Sequence, residues 1–378
     1  MRAVVYRGVN DLRLESMPVP LIGPNELLVK VAVCGVCPTD IKKIHYGTVK
    51  PPRIFGHETS GTIVRTGGRV KEFQAGERVA LHHHIPCLAC HDCRHRAFAQ
   101  CAQYKQTGIT AGFEPAGGGY AEYVRVMPFV LPGVVKIPVR NSFIEGAMLE
   151  PVNTVLKGVE RLTLLRGDTV LVAGQGPIGL MFTRLLTLKG FNVLATDLLS
   201  SRLELAAELG AKWLWGANSQ TPLKASRERQ TKNSQRKIQS RASPKSSSLK
   251  DLAASITHGR GLDAAVIAVP SDPVVREAQE LLRGGGQILL FSHTRRGEQS
   301  SLDLATVCVD EKDLLGSYSA DFTLQNEAAR LVFSRKLDVR RLITHHFTLE
   351  QTQAAIDLAA HPANGSLKIV VNQGCGSD

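Results

Sequence analysis

"TVLVAGQGPIGLMF", Thr169 to Phe182, decides the architecture of this 378-residue chain. Five apolar or β-branched residues precede three glycines in a G-x-G-x-x-G arrangement, and an apolar helical pattern follows them. A strand, a glycine turn and a helix in this order let the backbone approach a pyrophosphate at the helix N-terminus. The residues of this predicted dinucleotide-binding turn are Gly174, Gly176, Pro177, Ile178 and Gly179.

A carboxylate follows the turn at the spacing that dinucleotide binding requires. Asp197 ends the next predicted strand, NVLATD. A carboxylate there accepts hydrogen bonds from the adenosine ribose and repels the 2′-phosphate of NADP, so it favours NAD. Arg202 lies in the following helical pattern and is predicted to line the adenine side. The alternatives are a helix N-cap for Asp197 and an exposed helix position for Arg202.

The patterns on either side of the turn predict two domains. Strands and helices alternate from Asp168 to the strand DLLGSY, which predicts a doubly wound parallel sheet. The first 150 residues contain short strands broken by Gly and Pro, typical of a β-rich domain. After Asp321 one helix and one strand remain, too short for a domain of their own, and we expect them to join the β-rich part.

The composition restricts the class of protein and locates the charge. With 43% hydrophobic and 21% charged residues and no long apolar span or signal pattern, we expect a cytoplasmic globular protein. Residues 218–250 contain nine basic side chains and one acidic one, which leaves +4 of the net charge of +12 for the rest. This segment has almost no large apolar residue, and we predict a disordered insert. Nucleic-acid binding through it is the alternative from another functional class.

Four cysteines follow one another closely in "PCLACHDCRHRAFAQC", Pro86 to Cys101. A disulfide framework is typical of small secreted domains, whereas this chain is long and shows no secretion signal. Four thiolates so close together favour a closed structural zinc site that leaves no place for a substrate. The predicted ligands are Cys87, Cys90, Cys93 and Cys101.

A second set of metal-ligating side chains lies nearer the N-terminus. Cys37, in "CGVCPTD", and His57 with Glu58, in "GHE", are ligand types that suit zinc. Glu150, in "MLEPVNTV", is a further candidate. We expect Cys34 to be a small buried residue rather than a ligand.

These motifs, in this order, resemble the zinc-containing medium-chain dehydrogenase family in its alcohol, sorbitol and threonine branches. The resemblance implies a GroES-like catalytic domain from residues 1–153 and 322–378, with a Rossmann NAD-binding domain at 154–321. It also implies two zinc ions per subunit. The implied catalytic ligands are Cys37, His57 and Glu58, with Glu150 where other branches have a second cysteine.

The resemblance further implies roles for three neighbours of Cys37. Thr39 resembles the hydroxyl that takes the alcohol proton, and Asp40 the carboxylate that orients His57. Lys42 stands where many relatives have a proton-relaying histidine, so either Lys42 replaces it or another route exists. The implied activity is hydride transfer from a secondary alcohol or polyol of the sorbitol type to NAD in a homo-oligomer, with L-threonine 3-dehydrogenase as the alternative.

Overall fold

A computed structural model describes residues 1–82, 84–106, 109–114, 117–217, 221–223, 247–292, 297–363 and 365–373 of the chain. The strands are β1 Arg2–Gly8, β2 Asp11–Ser16, β3 Leu27–Gly35, β4 Glu58–Thr66, β5 Arg78–Leu81, β6 Ile109–Thr110, β7 Tyr123–Val126, β8 Val134–Lys136, β9 Thr169–Ala173, β10 Asn192–Asp197, β11 Trp213–Gly216, β12 Thr221–Leu223, β13 Leu262–Ile267, β14 Leu282–Leu290, β15 Asp313–Gly316, β16 Ile343–Thr348 and β17 Lys368–Asn372. The α-helices are α1 Pro38–Tyr46, α2 His91–Arg94, α3 Ala102–Lys105, α4 Phe143–Ala147, α5 Leu149–Glu160, α6 Pro177–Leu188, α7 Ser200–Leu209, α8 Leu249–Ile256, α9 Asp272–Leu281, α10 Leu304–Val309, α11 Gln325–Phe333 and α12 Thr352–Ala360.

The chain divides into two compact units, one of Met1–Thr154 with Ser319–Asp378 and one of Val155–Tyr318. In the second unit the described strands form one sheet in the order β12-β11-β10-β9-β13-β14-β15. All neighbours in it are parallel except β11 and β12. Every residue of β9 and β13 is buried, as expected for central strands covered on both faces. The predicted doubly wound sheet is therefore confirmed, with its order reversing between β9 and β13.

The predicted disordered insert differs from the structure at both of its described pieces. Thr221–Leu223 forms the short strand β12, which pairs antiparallel with β11. At the other end, Ser248 Oγ accepts a 3.0 Å hydrogen bond from Asp251 N and caps α8. Residues 218–220 and 224–246 lie outside the described residues. Nucleic-acid binding through this segment therefore stays a prediction.

The first unit is built mainly from antiparallel strands. Its larger sheet has the order β16-β17-β3-β4-β5-β8, with β7 pairing both β3 and β6, and β1 pairs β2 separately. The buried core combines residues from both ends of the chain, such as Val5, Val31 and Val371. Several elements of this unit went unpredicted, among them β2, β16 and α12. The expectation of one helix and one strand after Asp321 was wrong, because α11, β16, α12 and β17 all follow it. In β16 half-buried and exposed residues alternate, because it is an edge strand and carries two polar histidines.

Three adjacent strands position the side chains discussed next. β3 lies between β17 and β4, with Gly35 opposite Val370 on one side and Glu58 on the other. Two residues after β3, helix α1 begins with Pro38 at its first position, where a missing N–H costs no helical hydrogen bond. Cys37, His57 and Glu58 therefore lie where the end of β3 meets the beginning of β4. Among the described residues, no helix has the length and apolarity that crossing a bilayer requires.

Candidate functional site

One group of metal-ligating side chains contains three of the predicted catalytic ligands. A ligand atom of Cys37, one of His57 and one of Glu58 all lie within 4.8 Å of one another. His57 and Glu58 are buried, and Cys37 is half-buried. Cys34 lies outside this group, at a buried position of β3, and its sulfur accepts a 3.6 Å hydrogen bond from Thr59 Oγ1. Burial raises the pKa of Cys34, which suits a neutral core residue.

Asp40 fixes the orientation of the His57 ring. His57 Nδ1 lies 3.1 Å from Asp40 Oδ1, and because a carboxylate only accepts, Nδ1 is the donor. In the neutral ring, this arrangement leaves Nε2 with a lone pair for a metal ion. Burial disfavours a charged ring, but the negative charges of Asp40 and Cys37 outweigh it and raise the pKa of His57 well above its usual value. Burial would raise the pKa of Asp40, but His57 holds it below its usual value.

Lys368, which the sequence reasoning missed, contacts Glu58. Its Nζ donates a 2.6 Å hydrogen bond to Glu58 Oε1 and lies 2.5 Å from Oε2. Both side chains are buried. Burial opposes the ammonium charge, but Glu58 and Cys37 outweigh it and raise the pKa of Lys368. No local pattern signals this contact, because Lys368 is 310 residues from Glu58 in the chain.

Glu150 is buried near this group but not within it. It lies in the first turn of α5, and its Oε1 accepts a long 3.4 Å hydrogen bond from Thr154 Oγ1. The 4.8 Å group of possible ligands among the described residues does not include Glu150. Burial raises the pKa of Glu150 to about 7, although His57 acts in the opposite direction.

The three-residue group fits a zinc ion by its chemistry. Thiol, imidazole and carboxylate are all ligands that zinc accepts. Glu58 is a buried carboxylate that Lys368 contacts on one side, and each of its oxygens has two lone pairs, so it keeps acceptor capacity for a cation. Thr39 and Lys42 both lie on α1, half-buried and close in sequence to Cys37.

The four cysteines of the predicted structural site also lie together. One sulfur from each of Cys87, Cys90, Cys93 and Cys101 falls within 4.8 Å of all the others. The sulfur of Cys93 is 3.5 Å from that of Cys90 and 3.9 Å from that of Cys87. Zn–S bonds of about 2.3 Å at tetrahedral angles place two sulfurs about 3.8 Å apart. The spacing therefore fits one closed tetrahedral site.

Backbone N–H groups favour a thiolate in this cysteine cluster, the form that binds a cation. The N–H groups of Ala89 and Cys90 lower the pKa of Cys87 to about 6, which favours the thiolate. Burial raises the pKa of Cys93 to about 12. A small apolar cluster surrounds the sulfurs, in which the ring of Phe98 packs edge-on to Phe322 at 5.3 Å. A lobe with so small a core of its own needs an additional cross-link, which a metal ion held by the four sulfurs would provide.

The glycine turn of the second unit has the geometry of a dinucleotide-binding turn. Gly174 has φ = 90°, and a Cβ there would lie 2.4 Å from Val269 Cγ1. A Cβ on Gly179 would lie 1.8 Å from the carbonyl oxygen of Gly174, so only glycine lets α6 pack against the turn. Gly176 is the N-cap of α6, and Pro177 and Ile178 form its first turn. The N-terminus of α6 therefore offers free backbone N–H groups beside the end of β9.

Asp197 lies against this turn at the end of β10. Its Oδ2 accepts a 2.6 Å hydrogen bond from the backbone N–H of Gln175, and its Oδ1 a 2.9 Å bond from Leu199 N. Arg202 Nη1 lies 3.9 Å from Asp197 Oδ2 and 4.0 Å from the place of a Cβ on Gly176. The structure thus brings Gly176, Asp197 and Arg202 together at the carboxyl ends of β9 and β10.

Two family profiles match the chain in the order that the sequence motifs indicate. The profile described as "Alcohol dehydrogenase GroES-like domain" matches residues 23–138, and that described as "Zinc-binding dehydrogenase" matches residues 177–334. The chain belongs to the zinc-containing medium-chain dehydrogenase family. The predicted family is confirmed, and so is the predicted pairing of a GroES-like and a Rossmann fold.

Relatives within the medium-chain dehydrogenases match this chain over nearly its whole length. The sorbitol dehydrogenase of Bacillus subtilis is 27% identical over 380 residues, covering 98% of this chain and 97% of the relative. The D-xylulose reductase A of Aspergillus niger is 28% identical over 365 residues, covering 93% and 92%. A zinc-binding dehydrogenase of Sinorhizobium meliloti 1021, solved bound to NADP, has a TM-score of 0.81, with 25% identity and 98% coverage of both chains.

Family membership makes the chain a zinc-binding oxidoreductase that uses a nicotinamide nucleotide. Lys368 is a residue of the site that only the structure revealed, because β17 comes from the far end of the chain and pairs with β3 beside β4.

Proposed function

We propose that this chain is an NAD-dependent polyol dehydrogenase that oxidises a secondary hydroxyl to a ketone. The observation that carries the proposal is the buried group of Cys37, His57 and Glu58, with Asp40 orienting the histidine. A three-ligand site leaves a coordination position for an oxygen of the substrate, whereas the four-cysteine site does not. Zinc oxidoreductase chemistry therefore belongs to the first group and structural support to the second, which makes two zinc ions per chain.

The residues around Cys37, His57 and Glu58 have different proposed roles in catalysis. Zinc held by Cys37, His57 and Glu58 would supply a Lewis acid that makes an alcohol hydroxyl more acidic, and a bound nicotinamide nucleotide would supply the hydride acceptor. Asp40 keeps the proton of His57 on Nδ1, so that Nε2 stays a ligand. The hydroxyl of Thr39 takes the proton of the alcohol, and Lys42, three residues further along α1, is the next carrier toward solvent.

Glu58 is the carboxylate ligand that we propose, in preference to Glu150. Glu58 is within the 4.8 Å group, whereas Glu150 is outside it. Glu150 instead contributes a nearby buried carboxyl group that changes the charge of the site when it titrates.

We propose NAD as the cofactor because of Asp197. Its carboxylate is placed beside the glycine turn by backbone N–H groups of Gln175 and Leu199. A fixed negative charge at this position repels the 2′-phosphate of NADP. Arg202 lies close enough to weaken that repulsion, and the Sinorhizobium meliloti relative was solved with NADP, so the preference needs a direct measurement.

The substrate class follows from the relatives' names. The Bacillus subtilis enzyme is named for sorbitol and the Aspergillus niger enzyme for D-xylulose, so their names share open-chain polyol chemistry. Sorbitol and related polyols are therefore the proposed substrates, and no comparison favours the alternative, L-threonine.

We propose a homo-oligomer in a reducing compartment such as the cytoplasm. Strand β15 ends the sheet of the second unit with an unpaired edge among the described strands. Leu304, Val309 and Tyr318, close to it in sequence, are exposed apolar or aromatic side chains. Such an edge favours pairing with a second copy.

The seven described cysteines are all unbridged, which suits a compartment that keeps thiols reduced.

The test is cofactor reduction by purified, zinc-loaded protein. NAD and NADP are each offered with sorbitol, xylitol, a simple secondary alcohol and L-threonine, and the absorbance of the reduced nicotinamide is followed. We expect turnover with polyols and NAD, its loss in C37S, and its retention in C308S, because Cys308 is an exposed cysteine outside both ligand groups. Turnover with threonine but not polyols, or equal activity in C37S, would contradict the proposal.

A further inference from the structure

Lys368 is held by three contacts that use the donors of its ammonium group. Nζ donates to Val36 O at 2.8 Å and to Glu58 Oε1 at 2.6 Å, and it lies 2.5 Å from Glu58 Oε2. Only 7% of the Lys368 side chain and 2% of the Glu58 side chain are exposed, so solvent screens the pair weakly. Removing both charges from water has an unfavourable desolvation free energy, so the buried pair indicates a role beyond packing.

The sheet provides a specific path for this contact. Lys368 begins β17, Glu58 begins β4, and β3 lies between them. The residue of β3 opposite Glu58 is Gly35, and a Cβ on Gly35 would lie 1.9 Å from Glu58 Oε2. Glycine at this position therefore leaves the space that the Glu58 carboxylate occupies next to the lysine.

We propose that Lys368 is a positioning residue that sets how strongly the Cys37, His57 and Glu58 group binds a divalent cation. The inference rests on the proposed metal site, since it concerns the same carboxylate. Lys368 holds Glu58 by ion pairing and places a positive charge beside the site, so both effects weaken cation binding. Glu58 consequently remains an exchangeable ligand rather than a permanently bound one.

The direction of the effect follows from electrostatics. A cation bound to Glu58 at an ordinary Zn–O distance of about 2.1 Å lies only about 5 Å from the lysine ammonium. Repulsion between a single and a double positive charge at this distance inside a protein is large compared with thermal energy. Removing the ammonium should therefore tighten zinc binding at this site by at least about tenfold.

The test measures metal affinity instead of turnover. Zinc is titrated into metal-free full-length protein against a chromophoric chelator, and the visible spectrum of the cobalt-substituted protein reports the ligands. K368M removes the charge, and K368Q removes it but keeps an N–H donor for Val36 O. The matched control is K136M, because Lys136 also pairs with a glutamate at 2.6 Å but is exposed and far along the chain from the site.

We expect K368M and K368Q to bind zinc at least about tenfold more tightly at the weaker site, with an altered cobalt spectrum. K136M should match the wild type, and adding E58Q to K368M should abolish the gain. Unchanged or weaker zinc binding in whichever neutral variant folds would overturn the inference. Because the readout is binding, the inference survives if polyol turnover is absent, and the proposed function survives if only the affinity shift is absent.

Discussion

Replacing Asp40 tests whether its carboxylate supports His57 as a metal ligand. Asp40 is 1% exposed, its Oδ1 lies 3.1 Å from His57 Nδ1, and its Oδ2 accepts no hydrogen bond from the described residues. The substitution D40N therefore removes the charge while keeping an oxygen for the Nδ1–H. Losing a carboxylate behind a ligating histidine typically costs 10–100-fold in metal affinity or activity. This corresponds to about 1.4–2.7 kcal/mol.

We expect D40N near the lower end of this range and D40A near the upper end, because alanine also removes the hydrogen bond. The assay is zinc competition with a chromophoric chelator, followed by NAD reduction at saturating zinc. D338N is the control, since Asp338 pairs with Arg340 on the surface at 2.7 Å. Zinc affinities of D40N and D40A within twofold of the wild type would refute the reasoning that Asp40 acts through His57.

Three further substitutions test other parts of the site. C93S should lower the zinc content by one ion per chain and reduce the thermal midpoint while leaving the ratio of activities on two polyols unchanged; changed specificity at unchanged stability would contradict a structural role. Burial raises the pKa of Glu150 from 4.5 in the unfolded chain to about 7 in the folded protein. The folded state therefore favours the neutral carboxyl: in metal-free protein the free energy of unfolding is unaffected by this group below pH 4.5 and falls as the pH rises toward and through 7. E150Q should therefore stabilise metal-free protein at pH 8, but not at pH 4.5, by up to about 3 kcal/mol in urea unfolding, with E160Q as the surface control. D197N should reduce the preference for NAD over NADP in kcat/KM by at least about tenfold, and an unchanged ratio would show that Asp197 does not discriminate.

Local patterns predicted most of the second unit. The glycine turn, the following carboxylate and the alternation of strands and helices are all properties of short stretches, and the sheet order confirms the doubly wound fold. The strand β12 was missed because its three residues, Thr221–Leu223, lie in a segment with few apolar side chains. A short edge strand depends on its neighbour for stability, and this dependence leaves no pattern in the sequence.

In the first unit, the ligand types could be predicted, but their arrangement could not. Cys37, His57 and Glu58 stand in recognisable motifs, and the structure brings them within 4.8 Å. The sequence could not distinguish Glu58 from Glu150, because that difference depends on how β4 and α5 are placed in space. The contact between Lys368 and Glu58 was beyond any local pattern, since it joins strands from opposite ends of the chain.

The central claim is that Cys37, His57 and Glu58 bind zinc. Anomalous diffraction at the zinc edge, from crystals of zinc-loaded protein, tests it most directly. We predict two peaks per chain, one among the four sulfurs of the cysteine cluster and one at about 2.3 Å from Cys37 Sγ and about 2.0–2.2 Å from His57 and Glu58. A structure with a peak in the cysteine cluster and none beside Cys37 would contradict the claim.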